Sequence, residues 1–562
     1  MKSSIARKSI GYLFYLSLFS GTAFATDVLT QEQQQLKHQR IIQETDEALK
    51  KAEKFLRKEA DPKTDNTLTD DAQTDRTIKR ITVDQAGQSV RLDFDSVIKQ
   101  YEGKPLTTKQ VFALVKDLTD VLYRAGYVTS AVGLKSNVTD KNELDFIIHW
   151  GYVRDYFVNG ALPETFKDKA MVLVLPNLKN KLLNVYDVDQ LVEILNTTNK
   201  SAEIKVIAAE KDGESNFNLI TQRTYLPRVT LGFNNSGAEN NENGRNQLTA
   251  SISWSDLLGI NDSWYFSTGY RLYKKHKRNN QQNYLLSYSQ PFSSYTLDLR
   301  VSQSDSKKEI KGIHSYSSEG KIKTANIKLA KVLARNKDMI FSGYGELEFK
   351  TKKNYIGERL VSHFNNNKLT VGLSYITNVL GGKLYNDISY SNGLGWFGSD
   401  SLAYNSKGDK TLSLLSGTMS WYKAFEVKER ALNYQLRLGF QYSPDSLYSD
   451  NQFSIGDEYT VRGFKGGIIS GDSGYYISQT FDIPFYPQKM FISQIKPFLG
   501  IDFGRVFKHL NQGNETIAGM AIGTKIQISR LNLSFTYSKP IKNVKVNKGD
   551  SNIYYVNGSI SF

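Results

Sequence analysis

Arg462 is the lone basic residue of the stretch Ile455-Gly-Asp-Glu-Tyr-Thr-Val-Arg-Gly-Phe464, within a long segment that reads as a loop. Further on, Phe498-Leu-Gly-Ile-Asp-Phe-Gly504 reads as a strand, with Phe498, Gly500, Asp502 and Gly504 on one face. The chemistry these motifs offer is ion pairing, between a guanidinium on a loop and a carboxylate on a wall. Glycine at every second position removes side chains from that face and lets a loop backbone come close. Taken on four residues, Val461-Arg462-Gly463-Phe464 fits an ordinary turn, and Asp502 fits a solvated wall residue. The choice depends on what the rest of the chain builds.

Other chemistries are poorly represented. Cysteine is absent, which excludes disulfides, thiolate metal sites and thiol nucleophiles. The chain has six histidines and carries no Gly-x-Ser-x-Gly elbow, no phosphate-binding Gly-Lys-Ser/Thr loop and no paired metal-ligand motif. Neither an enzyme nor a cofactor is expected. The composition, 23% charged and 12% aromatic over 562 residues, is that of a folded chain. Its formal charge of +15 is spread along the sequence rather than blocked, which gives no reason to expect nucleic acid.

The elements that must position Arg462 and Asp502 begin with an address. Lys2, Arg7 and Lys8 precede an apolar run from Ile10 to Phe19 and the small-x-small site Ala23-Phe24-Ala25, so residues 1–25 read as a secretory leader. That run is shorter than the roughly 20 residues of a spanning helix, and no later segment supplies one. A chain that leaves the cytoplasm without such a helix is periplasmic, secreted or an outer-membrane barrel.

Residues 26–58 read as a helix with a thin apolar stripe of Leu29, Leu36, Ile41, Ile42, Leu49 and Phe55. A helix polar nearly all round needs bulk water or a water-filled lumen, so it is expected to be tethered rather than packed. The polar stretch 59–79, with Pro62, reads as its linker. Two units of the order strand, helix, helix, strand, strand follow at 80–152 and 153–222. In the first, Val111, Leu114, Val115, Leu118, Val121 and Leu122 mark the buried face of a helix that Thr107 or Thr108 caps, and Gly126-Tyr127-Val128-Thr129 with Leu134 reads as the strand after it.

From 223 to 562 the pattern is alternation, as in Leu531, Leu533, Phe535 and Tyr537 against Asn532, Ser534, Thr536 and Ser538. Sixteen such segments start near residues 225, 244, 262, 280, 294, 321, 338, 367, 381, 410, 430, 471, 494, 517, 530 and 553. An even count suits a closed outer-membrane barrel, and tight inner turns with long outer loops suit its asymmetry. The outer loops are expected at 234–244, 303–320, 351–367, 392–409 and 443–470, with 484–493 long for an inner turn. The last strand puts Tyr554, Val556, Ile560 and the terminal Phe562 on one face, the form of a barrel insertion signal.

At this point the sequence resembles the two-partner secretion transporters of the haemolysin-activator and filamentous-haemagglutinin type, members of the POTRA-plus-barrel superfamily. Gly126-Tyr127-Val128-Thr129 matches the helix-to-strand turn of the first POTRA module. Val461-Arg462-Gly463-Phe464 matches the tip of the sixth outer loop. Phe498, Gly500, Asp502 and Gly504 match the inner-wall motif of the thirteenth strand. The departures are His149-Trp150-Gly151, where the family tends to have Glu-Gly, and Lys205 to Glu214, which lacks a proline-rich run.

The resemblance implies α+β periplasmic modules followed by an all-β domain, namely two POTRA modules and a 16-stranded transmembrane barrel in a Gram-negative outer membrane. It further implies a helix of 26–58 in the pore and a sixth loop folded inward so that Arg462 meets Asp502. The partners it implies are one large exported protein in unfolded form, of adhesin, haemolysin or haem-acquisition type, the outer-membrane lipids, and the barrel assembly machinery during insertion. Export would proceed without nucleotide. The competing readings are an assembly factor of the same superfamily, which usually carries more modules, and a passive porin or nutrient channel, which does not need residues 27–220.

Overall fold

Alternating side chains let each strand put an apolar row toward lipid and the other row inward, and closure removes the unpaired edges an open sheet would expose. In a computed structural model, residues 30–54, 77–136, 142–237, 244–310, 315–396, 398–402, 412–487, 491–508, 513–542 and 552–562 are described. The leader 1–25 and nearly all of the linker 59–79 fall outside them. Sixteen antiparallel strands form the closed barrel. The sixteenth, Ile553–Ser561, pairs with the first, Arg228–Asn234, with Ile560 opposite Leu231. Phe562 completes the seam, its N–H donating to the Val229 carbonyl at 2.8 Å.

On the thirteenth strand, Gln494–Phe507, the period of two is plain. Leu499, Ile501 and Phe503 are exposed toward lipid, while Phe498, Gly500, Asp502 and Gly504 are buried on the inner side. Inner connections are tight where both turn residues take left-handed backbone, as at Leu380-Gly381 and Lys428-Glu429, the twist that two-residue hairpins favour.

Two of the expected outer loops are instead strand. The fifth and sixth strands, Tyr295–Ile310 and Tyr316–Arg335, absorb most of 303–320, and the seventh and eighth, Met339–Ile356 and Arg359–Val379, turn at Gly357-Glu358. The sixth and eighth strands, of 20 and 21 residues, exceed the roughly 9–11 a bilayer requires, so these hairpins stand above the membrane. Their lysine-rich outer halves carry no hydrophobic signal, yet a backbone ladder in water does not require one. A further strand, Asp400–Leu402, pairs with the outer part of the eighth.

Below the barrel lie two three-stranded sheets of identical order. In the first, Arg80–Asp84 runs parallel to the central Glu143–His149, and Ala131–Ser136 pairs antiparallel on its other side. Tyr152–Val158, Glu214–Arg223 and Lys200–Ala208 repeat that arrangement. The helix Thr108–Arg124 starts at a capping box of Thr107 and Gln110 and buries Leu114, Leu118 and Leu122. The other helix of this module is a single turn, Asp95–Ile98.

Gly126 is the joint between the modules. Its φ is +93°, and a Cβ there would meet Asn184 Oδ1 at 2.5 Å, while its carbonyl accepts from Val185 N–H at 2.9 Å. Tyr127 packs edge-on against Trp150, whose indole N–H donates to the Gln85 carbonyl at 2.8 Å. Gly126→Ala should therefore cost about 1–3 kcal/mol locally. Hydrogen exchange at the Val185 amide should speed up roughly tenfold or more, and unchanged exchange would remove Gly126 from this role.

Candidate functional site

The lumen is occupied by two segments of the chain itself. The first is the sixth outer loop, between the eleventh strand, Arg430–Tyr442, and the twelfth, Ser473–Asp482. It folds inward around a small hairpin of Phe453–Ile455 and Ile469–Gly471. Ile455, Val461, Phe464 and Ile469 pack with Tyr476, Val506 and Ile517 of the wall in a buried apolar cluster.

At its tip Arg462 meets Asp502. Nε and Nη2 donate to the two carboxylate oxygens, each at 2.6 Å, and the Arg462 backbone N–H adds a third bond to Oδ2 at 2.9 Å. Nη2 also donates to the Gln479 carbonyl at 2.9 Å. Arg462 is 8% exposed and Asp502 1%, so the pair is desolvated and the fork geometry decides its worth. The glycines clear the way as their spacing suggested. A Cβ at Gly500 would overlap the guanidinium, and one at Gly504 would meet Ile455 Cδ1 at 2.5 Å. Gly463, at φ +108°, lies so close to the backbone of Lys539 and Pro540 that a Cβ there would meet it at 3.0 Å. Phe498 lies over Gly523 and close to Lys525.

The second segment is a helix over residues 30–54, about 37 Å long at 1.5 Å per residue, enough to cross a hydrocarbon layer of about 30 Å. It is not merely tethered. Thr30, Glu32, Gln34, Gln35, His38 and Thr45 are buried, and Leu36, from the thin apolar stripe, is not. Toward the outer mouth, Glu32 accepts from Arg271 Nε at 3.0 Å and Nη2 at 2.6 Å, from Gln247 at 3.1 Å and from Asn283 at 3.0 Å. Midway, His38 Nδ1 lies 2.8 Å from Asp457 Oδ2, while Asp457 Oδ1 accepts from the Tyr459 and Thr460 N–H groups and the Thr460 hydroxyl, each at 2.9 Å. Asp457 thus folds the loop tip and fastens it to the helix. Near the periplasmic end Ala48 and Ala52 pack on Ile340 and Ile376, and Arg437 Nη2 reaches Asp46 at 3.1 Å.

The helix also touches the second module. Glu193 of the helix Val185–Leu195 lies 2.7 Å from Lys51 and bonds Arg335 at the inner end of the sixth strand. Burial disfavours the Glu193 carboxylate, yet Lys51 and Arg335 outweigh it and bring its pKa down to about 2. The folded pKa lies below the ordinary value of about 4.3, so the stabilisation is complete above that value and is lost as pH falls toward 2. Protection of residues 48–54 from hydrogen exchange should be flat from pH 8 to 5 and should fall below about pH 4. In Glu193→Gln it should be low throughout. An acid response identical in Glu193→Gln would assign it to another group.

Of the residues singled out from sequence, the loop and wall motifs come together, while Gly126 and Tyr127 lie at the module joint and Phe562 at the barrel seam. Sequence reasoning missed Glu32, His38, Arg271, Asp457 and Gly519. A Cβ on Gly519 would collide with the Arg462 carbonyl, and Ala518-Gly519-Met520-Ala521 does alternate small residues inward beside the Gly500 face. The ligands of the helix carried no such signal, because their partners are hundreds of residues away.

Against known proteins, the model of the haemolysin secretion/activation protein family ShlB/FhaC/HecB matches residues 213–526, and that of the ShlB-type POTRA domain matches 76–151. The outer membrane transporter CdiB of Escherichia coli O6:K15:H31 is 26% identical over 479 residues, 83% of this chain and 79% of that protein. The hemolysin transporter protein HpmB of Proteus mirabilis is 24% identical over 441 residues, 76% of this chain and 75% of its own length. In fold, the chain is similar to CdiB from Escherichia coli, with a TM-score of 0.82 at 23% identity over 96% of this chain and 99% of that one. For CdiB from Acinetobacter baumannii the values are 0.78 and 20%, over 95% and 99%.

Proposed function

The chain belongs to the haemolysin secretion/activation protein family ShlB/FhaC/HecB, two-partner secretion transporters of the outer membrane, and from that premise we propose that it exports one large partner protein, captured unfolded in the periplasm. The barrel lies in the outer membrane with its POTRA region in the periplasm. One observation carries the reading: the helix of 30–54, which fills the lumen beside the loop, is held mainly by polar contacts that water or a passing chain can replace. A permanent stopper would be sealed by an apolar core.

In this reading residues 26–58 are the plug and 59–79 the tether that lets it leave. Residues 80–152 and 153–222 are the two POTRA modules, and 223–562 the barrel. An extended partner is captured by adding a strand to an open sheet edge, where backbone bonds give affinity without demanding a fixed sequence. The edge strand Lys200–Ala208, exposing Val206 and Ile207, supports this. The partner then displaces the helix, passes the loop and folds outside, and that folding supplies direction without nucleotide. Val461, Arg462, Gly463 and Phe464 on Phe498, Gly500, Asp502 and Gly504 are the loop latch, and Phe562 ends the strand that the assembly machinery reads. An occupied lumen argues against passive permeation.

The test compares surface and medium proteins of cells with and without the gene. Loss of one very large protein, with its unfolded chain retained in the periplasm, is expected. Loss of many barrel proteins would point to an assembly factor, and no change would sink dedicated export.

A further inference from the structure

The helix Phe166–Leu173 of the second module leaves its two apolar ends uncovered: Phe166 and Leu173 are each 84% exposed, and at a spacing of seven they share one face. Met171, on another face, is fully buried in the module core, so the exposure is not the result of a poorly packed helix.

The helix is fixed at the rim of the barrel. The carbonyl of Val174, the residue after it, accepts from the Ser293 N–H at 2.7 Å. Ser293 follows Phe292, which stacks with Tyr295 at 5.6 Å between centroids, and Tyr288 of the same strand lies 4.7 Å from Trp264 of the preceding one. These rings are the aromatic girdle that marks the periplasmic edge of the lipid. At the other end of the helix, the Lys167 stem lies against Gly259 of the turn between the second and third strands, and its ammonium lies 5.6 Å from the Tyr225 ring centroid. Around that contact Leu226, 82% exposed, immediately precedes the barrel, and Leu257 and Leu258 project from the turn.

The companion helix Val185–Leu195, by contrast, lies under the lumen, with Val192 against the cluster of Ala48, Ala52, Ile340 and Ile376 and with Glu193 on Lys51. The exposed row is therefore continuous with the lipid-facing belt and does not line the lumen. Lys167 and Lys169 on the same helix are exposed and suit anionic headgroups.

We propose that Phe166, Leu173, Leu226, Leu257 and Leu258 form a foot that inserts into the periplasmic leaflet, with phospholipid as its occupant. The second module is then held flush with the membrane by lipid as well as by its contacts to the barrel. It stays in place when the plug leaves Glu193. This anchoring is independent of what the barrel exports.

The absence of cysteine makes the test direct. Leu173→Cys and, separately, Phe166→Cys are labelled with bimane in the full-length protein and reconstituted in vesicles of phosphatidylethanolamine and phosphatidylglycerol, some bearing a nitroxide on the upper acyl chain. Lys109→Cys, exposed on the first module, is the reference, and heat-modifiable migration verifies the barrel. Quenching at least about threefold stronger at both foot positions than at the reference is expected, from the depth of about 5–10 Å that interfacial helices reach. Quenching equal to the reference would overturn the foot. So would equal quenching combined with protection of both cysteines by a reduced and alkylated, unfolded model polypeptide, which would assign the patch to cargo.

Discussion

Asp502→Ala is expected to lower export of the partner by at least about tenfold while leaving an inserted, heat-modifiable barrel. The carboxylate accepts three bonds from Arg462, and its removal strands a buried guanidinium, with a cost of about 3–5 kcal/mol for losing one member of such a pair. That cost falls on the loop tip, because strand 13 keeps its ladders to the twelfth and fourteenth strands through backbone atoms. A cost of 1.4 kcal/mol is already a tenfold change in population, so the latched arrangement becomes a minority state even if the apolar cluster around Ile455 and Val461 resists. The double variant Arg462→Ala/Asp502→Ala removes both charges and should destabilise the tip less than the sum of the singles. Export and protease access to 443–470 are the readouts. Normal export by both single variants would remove the latch from the mechanism, and additive loop exposure would show that the two residues act separately.

Glu32→Ala is expected to free the helix of 30–54 from the lumen for much of the time and to raise single-channel conductance several-fold in planar bilayers. Glu32 satisfies Arg271, Gln247 and Asn283 together, and without it the buried Arg271 guanidinium loses its one carboxylate partner and keeps only neutral acceptors in Gly244, Gln35 and Ser236. The apolar hold of the helix is smaller than that of its polar anchors together. Ala48 and Ala52 each contribute one methyl against Ile340 and Ile376, about 0.8 kcal/mol apiece, and the buried Leu49 about 1.5–3 kcal/mol, against about 3–5 kcal/mol for each buried charge that loses its partner. The polar anchors therefore decide residence. A conductance equal to that of the parent protein, with unchanged protection of residues 30–54 from hydrogen exchange, would mean that other anchors suffice.

Both predictions rest on contacts of different legibility. The Arg462–Asp502 pair was suggested by its residues, since glycines at 500 and 504 flank the aspartate at 502 on one face, but an ordinary turn fitted them as well and it was the resemblance that implied their meeting. Glu32–Arg271 was not visible, since a glutamate on a polar helix and an arginine at a strand end look like any solvated residues until the chain brings them together. The hairpins above the membrane were hidden for a related reason, because their polar outer halves look like loop while their backbones are paired.

The sequence by itself determined the class of fold and its order: a period of two repeated sixteen times, helices with one buried stripe in the modules, and tight turns alternating with long connections. These are local properties, written in side-chain alternation and turn chemistry. Only the tertiary structure decided what fills the lumen and which side chains hold it there. Closing the barrel removes water from one face of a polar helix, and a buried donor or acceptor must then find whichever partner the wall presents. That choice is set by register and distance in space, which no local pattern in the chain encodes.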